Sequence, residues 1–217
     1  MIIPEYSGNL RKHIIRVPEA IAQASGIRVF GRLLKSFIFT TDVAIIRNCN
    51  ADAIIAIYPF TPQPIITHSI ITASDIPVFS GVGGGTTRGP RVIGLAVDAE
   101  QQGAMGVVVN APTANTLIKA IKTTLEVPII VTVTTDHDDI AGRLRAGATV
   151  LNVSAASKTP EVVAKIRAEY PDVPIIATGG PSEDSINRTI AAGANAITFT
   201  PPSTAELFKD MMERYRE

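Results

Sequence analysis

Ala146-Gly-Ala-Thr-Val-Leu-Asn-Val153, Val173-Pro-Ile-Ile-Ala-Thr178 and Ala192-Gly-Ala-Asn-Ala-Ile-Thr-Phe199 are consecutive short apolar runs, and the way each begins decides the fold. Two start signals alternate. One is a small-residue pair, seen also over 50–57 and 102–109; the other is an apolar residue plus proline, seen also at Ile76-Pro77 and Val127-Pro128. About one helix's worth of residues separates each run from the next. Gly103, Gly147 and Gly193 stand just past helical segments, where a left-handed turn costs glycine nothing. Pro77, Pro128 and Pro174 lack an amide proton, which the first residue of a strand can spare.

Adding 36–40 predicts eight strands: 36–40, 53–58, 77–80, 106–110, 128–132, 149–154, 174–178 and 196–199. Their continuous Ile/Val content, with little polar alternation, fits parallel strands buried on both faces. The expected fold is therefore α/β, a single-domain (β/α)8 barrel. Such barrels run to about 250 residues with a lower limit near 200, so 217 residues suffice for one. Within this one domain, 1–35 is a lead-in and 36–217 the barrel. The lead-in holds an expected helix over 18–24, and it either packs across one mouth or builds a subunit interface, which admits a homo-oligomer. Stripes at Leu117, Ile118 and Ile121, at Val162, Val163 and Ile166, and at Ile186 and Ile190 suit helices lying outside the strands. The weakest helix is 64–73, rich in isoleucine and threonine.

Twenty basic and twenty acidic residues cancel and are dispersed, which argues against nucleic-acid binding. No apolar run approaches the 18 or so residues of a membrane span, and the N-terminus has no signal-peptide core. A cytoplasmic protein is expected. Cys49 is the only cysteine and reads as a small apolar filler near a helix end.

In a (β/α)8 barrel the loops after the strands form the active face. The last two are the most informative. Val173-Pro-Ile-Ile-Ala-Thr-Gly-Gly180 followed by Ala191-Ala-Gly-Ala-Asn-Ala-Ile-Thr-Phe-Thr200 resembles the seventh and eighth units of the ribulose-phosphate-binding barrel superfamily. The resemblance implies a phosphate held by backbone amides: Gly179 and Gly180 from the seventh loop, with Ser203 as a hydroxyl or amide donor at the last helix. Glycine lets an anion approach the backbone, and a helix N-terminus presents partial positive charge. Thr200-Pro201-Pro202 departs from the family's glycine-containing turn, and its prolines bring no amides. The competing role for Gly179 and Gly180 is close helix packing.

The third loop, Ser80-Gly-Val-Gly-Gly-Gly-Thr-Thr-Arg-Gly89, matches neither a dinucleotide fingerprint nor a P-loop. It reads as a mobile lid with Arg88 as an anion clamp, or as a solvated loop. Asp42 and Asp136 follow the first and fifth strands, where a partly desolvated carboxylate with a raised pKa can move protons, and His137 is a candidate shuttle. The competing roles are a helix N-cap at Thr41 or Asp42, a capped acidic first turn over Asp136 to Asp139, with capping favoured for Asp138 and Asp139, and surface solvation for His137. Asn110 and Asn152 end strands four and six and can orient a substrate. No lysine occupies a predicted strand end, although Lys35 and Lys158 lie nearby, which argues against Schiff-base chemistry. Three dispersed histidines argue against a zinc centre.

These residues suggest an enzyme that works on a small phosphorylated metabolite by acid/base chemistry of isomerase or lyase type, with no obligatory cofactor. Magnesium held by carboxylates and a substrate phosphate is compatible with the set. The alternatives are an FMN-dependent oxidoreductase, whose cofactor phosphate would occupy the same Gly-Gly segment, and a non-catalytic sensor of a phosphorylated ligand.

Overall fold

The computed structural model describes residues 13–216 together with Pro4, Tyr6 and Gly8. The lead-in residues Glu5, Arg11 and Lys12 lie outside this set. Eight parallel strands close a barrel in the order β10-β3-β4-β5-β6-β7-β8-β9. They are β3 (Ser36–Phe39), β4 (Ala53–Ala56), β5 (Val78–Gly83), β6 (Gly106–Val109), β7 (Ile129–Val133), β8 (Val150–Val153), β9 (Ile175–Thr178) and β10 (Ala196–Phe199). All eight expected strands are present, and β4, β6 and β8 are buried along their whole length, as strands covered on both faces must be.

The start signals work as their chemistry requires. Gly103, Gly147 and Gly193 take φ of +99°, +111° and +109°. The alanines that follow them, Ala104, Ala148 and Ala194, are buried. Pro77, Pro128 and Pro174 each precede a strand by one residue and contribute only a carbonyl, which accepts from Ile54, Val107 and Leu151 at 2.8, 3.0 and 3.0 Å.

Outside the strands lie α1 (Val43–Arg47), α2 (Pro64–Ala73), α3 (Pro90–Gln101), α4 (Asn115–Lys122), α5 (Ile140–Ala146), α6 (Thr159–Glu169), α7 (Glu183–Ala191) and α8 (Thr204–Arg214). Despite its β-branched content α2 forms, with Pro64 at its start and Thr67 and Ile70 on the buried side. Tertiary packing outweighs propensity there. Half-buried Cys49 packs beside the cluster under α1 and α2, as a small apolar residue should. No helix among the described residues is long and apolar enough to cross a membrane.

The lead-in differs from expectation. The helix anticipated over 18–24 shortens to a 3-10 turn, Glu19–Gln23, against α7. After it comes an antiparallel hairpin that the sequence reading missed, β1 (Ile27–Val29) and β2 (Arg32–Leu34). Lys35 alone separates β2 from β3, so the hairpin sits at the end of the barrel where the strands begin. There Ile27, Val29 and Leu34 join Phe37, Phe79, Val108, Ile130 and Ile176 in the interior cluster. The hairpin is a plug for the N-terminal mouth, and the opposite mouth is not covered by it.

Candidate active site at the carboxyl ends of the strands

Side chains alternate in and out along each strand, which fixes what faces the axis. Val108, Ile130, Val150, Ile176 and Ala196 form an apolar interior layer. Two residues further along, the same strands present Asn110, Thr132, Asn152, Thr178 and Thr198. The layer under the C-terminal mouth is thus polar and uncharged. Thr132 pairs in register with Asn152, whose carboxamide donates to the threonine hydroxyl at 3.4 Å. Thr178 pairs with Thr198. Asn152 Oδ1 and Thr198 Oγ1 are buried without a hydrogen-bond partner. Such atoms cost about 1–3 kcal/mol each when left unmet. Asn110 and Asn152 were expected here; Thr132 and Thr198 were missed, although the i, i+2 step from apolar to polar in each strand is visible in the sequence.

Between the loops after β9 and β10 runs an open groove of about 1070 Å³ whose lining includes Thr178, Gly180, Glu183, Thr198 and Lys209. The four expected anion donors there have different fates. The Gly180 amide makes no hydrogen bond among the described residues, and its φ of +81° favours glycine. The Gly179 amide is taken by Thr198 O at 3.3 Å. A side chain on Gly179 would come within 2.7 Å of Ile197 and 2.8 Å of Ile186, so this glycine does serve close packing. Ser203 is a correction: its amide and its hydroxyl both donate to the Glu206 carboxylate, each at 2.7 Å, in a capping box. Ser182 and Ser185 cap α7 in the same manner. Charge around the groove is mixed, with Arg16 and Lys209 facing Glu183, Glu206 and Asp210.

The expected acid and base groups also shift role. Asp42 caps α1 by accepting from the Ala44 and Ile45 amides at 2.8 and 3.3 Å, and it accepts from the Thr204 hydroxyl at the start of α8. Those bonds, Thr204 foremost, hold its pKa below the usual carboxylate value rather than above it, and partial burial opposes them. Asp136 pairs with Lys165 of α6, so it faces the outer helix layer instead of the axis, and its pKa is lowered, chiefly by Lys165. His137 sits 3.6 Å from Asp136 with its side chain 90% exposed, as the surface role requires. Asp139 caps α5 at Gly142 as expected, whereas Asp138 accepts from the Thr134 and Thr135 amides ahead of the helix and so closes the loop rather than capping α5. Lys35 lies at the plugged end and donates to Ala22 O.

The glycine-rich third loop is built rather than loose. Gly84 donates to Thr87 O at 2.9 Å, and Asn110 donates to Gly83 O at 3.0 Å. Arg88 folds back to donate to Gly85 O at 3.1 Å and is exposed. Beneath this loop a second cavity, about 230 Å³, opens between the ends of β4, β5 and β6. No group of three or more His, Cys, Asp or Glu suited to a metal ion occurs among the described residues. Asp42 and Asp136 are separately engaged and do not form a carboxylate pair, so a magnesium ion here would rest on a single carboxylate together with a substrate phosphate.

No family model matches the chain, and no curated protein matches its sequence. Solved structures do match its shape. A Burkholderia cenocepacia J2315 protein assigned as a phosphonomutase superposes with a TM-score of 0.68 at 16% identity, over 87% of this chain and 95% of that one. A phosphonopyruvate hydrolase complexed with oxalate and Mg2+ gives 0.64 at 12% identity, over 85% and 81%. A mandelate oxidase bearing an FMN adduct gives 0.63 at 15% identity, over 82% and 68%. Identities this low speak for fold alone, and by fold this chain stands among the (β/α)8 barrels.

Proposed function

We propose that the protein is an enzyme that binds a small phosphorylated metabolite across the C-terminal mouth and transforms it by isomerase- or lyase-type chemistry. The observation that carries this reading is the polar mouth itself. The buried, unpartnered Thr198 hydroxyl lies at the groove where the Gly180 amide is also unpaired among the described residues, and the unpartnered Asn152 oxygen lies two strands away in the same polar layer. A ligand that supplies hydrogen bonds there offsets a cost the fold otherwise bears. Arg16 and Lys209 add positive charge to the groove for a phosphate. The fold neighbours named for phosphonate chemistry agree with a phosphorylated or phosphonylated substrate. In this reading Asp42, ionised at neutral pH and tied to the start of α8 through Thr204, is the carboxylate that accepts a proton.

A second reading has its own observation. Thr204 and Lys165 already occupy Asp42 and Asp136, as expected of structural carboxylates in a barrel that senses a phosphorylated ligand without turning it over. Mass spectrometry of metabolites retained by the purified protein, followed by 31P NMR during incubation with the ligand found, separates the two. The enzyme reading expects a new phosphorus resonance whose rate of appearance falls far more than binding in Asp42→Asn. Binding with no new resonance supports the sensor, a yellow protein supports FMN, and retention of no phosphorylated compound contradicts all three.

A further inference from the structure

The 230 Å³ cavity under the glycine-rich loop is separate from the Gly180 groove and has a chemistry of its own. Tyr58 and Phe60 supply one side, and the backbone of Gly83 and Gly85 the other. Tyr58 is fixed, since its hydroxyl accepts from the Gln63 amide at 2.7 Å. No charged residue lines the space. Thr87, only 6% exposed, also lines it, with its hydroxyl buried and without a partner among the described residues. The Asn110 carboxamide lines it too and makes no side-chain hydrogen bond among the described residues.

The glycines are not equivalent. Gly83 and Gly84 have φ of +148° and +94°, and a side chain on Gly84 would fall 2.0 Å from Thr113 Oγ1, so the fold demands both. Gly85 has no left-handed φ, and a Cβ there would meet only Asn110 Nδ2, at 3.4 Å. Backbone geometry does not require glycine at this position. What its bareness preserves is room in the cavity.

We propose that this cavity is a recognition subsite for a planar, uncharged nitrogen heterocycle with a single six-membered ring of pyrimidine type. Its volume falls below the roughly 300–1,000 Å³ of pockets that enclose a drug-sized ligand, which suits one ring rather than a whole metabolite. Glycine backbone and aromatic side chains offer flat apolar contact. The Asn110 carboxamide carries a donor and an acceptor side by side, which match a ring edge with an adjacent acceptor and donor. The subsite rests on the phosphorylated-ligand reading only in assigning the ring to that same ligand.

Isothermal titration with uridine, cytidine, ribose 5-phosphate and uridine 5′-monophosphate tests it on the wild type, Gly85→Val and Asn110→Leu, with thermal unfolding as a check on each variant. Measurable binding of a nucleoside without phosphate is expected, as is at least tenfold tighter binding of uridine 5′-monophosphate than of ribose 5-phosphate. In Gly85→Val that gain disappears while ribose 5-phosphate binds as before; should this variant not fold, Asn110→Leu is expected to lose most of the gain. Absence of nucleoside binding together with equal affinity for the two phosphates overturns the subsite, and so does a gain that survives in the folded variants. Nucleoside binding with no affinity for ribose 5-phosphate would leave the subsite standing and overturn the phosphorylated-ligand reading.

Discussion

The two ends of this barrel are made from the same strands and treat polar groups in opposite ways. At the N-terminal end the clamps are satisfied. The Asp52 carboxylate accepts from the Lys35 amide, the Ser36 amide and the Ser36 hydroxyl, each at 2.9 Å. Asn195 accepts from the Ile175 amide and from Arg167. The space between the strands is filled by the hairpin's apolar residues and by Phe37 against Phe79, edge to face at 5.3 Å. At the C-terminal end Thr87, Thr113, Asn152 and Thr198 keep buried polar atoms without partners. Gln102 Oε1 at the far end of α3, Ser80 Oγ within β5 and Arg143 Nε on α5 are also unpartnered among the described residues. A fold bears such a cost where something outside the chain is meant to meet it.

Substitutions at the two ends sharpen or break this contrast. The largest effect is expected for Phe37→Ala, which empties a fully buried site in the plugged half and costs about 3–5 kcal/mol in a urea titration. Asp52→Ala strips three donors of their acceptor and should cost about 1–3 kcal/mol. Asp42→Ala removes a helix cap at the open end and should cost about 1 kcal/mol at pH 7. The Asp42 contribution has a direction in pH. Its folded pKa lies below the ordinary carboxyl value of 3.8, so the stabilisation is complete above that value and fades as pH falls through the lower folded value. The wild type and Asp42→Ala should therefore converge in stability under strongly acid conditions while differing at neutral pH.

The smallest stability effect and the most telling one belongs to Thr198→Val. Deleting an unpartnered buried hydroxyl while keeping the shape should leave stability unchanged or raise it by up to about 1 kcal/mol, while ligand affinity falls. A loss of stability on the scale of Asp52→Ala would mean that Thr198 is satisfied within the fold, and the contrast between the ends would fail.

The strand count and order were legible because every start signal is local. A glycine in the left-handed region or a proline without an amide acts within a residue or two, so Gly147 and Pro174 announce the strand that follows. The hairpin plug was not legible. Ile27, Val29 and Leu34 are too few for a periodic signal, and the Phe30-Gly31 turn, with φ of +43° and +83°, places a phenylalanine where asparagine or glycine is the usual mark. At the site, sequence position located the Asn110 and Asn152 side chains because barrel geometry alone orients them. It misjudged Ser203 and the raised pKa expected of Asp42 and Asp136 because their partners, Glu206, Thr204 and Lys165, decide their chemistry. Thr204 is 162 residues from Asp42 and no local pattern links them. The capping of α8 by Glu206 was within reach, since Ser203-Thr-Ala-Glu206 is a capping-box spacing.

The central claim, that an anion is gripped where the loop after β9 opens into the groove, is tested most directly by following backbone amide resonances while inorganic phosphate is added. Gly180 should shift and saturate, whereas Ser203, whose amide is already committed to Glu206, should move little. Glu183→Gln, which removes a negative charge from the first turn of α7, should tighten the titration by roughly two- to fivefold. A Gly180 resonance that stays fixed throughout the titration, with Glu183→Gln making no difference, would contradict the account.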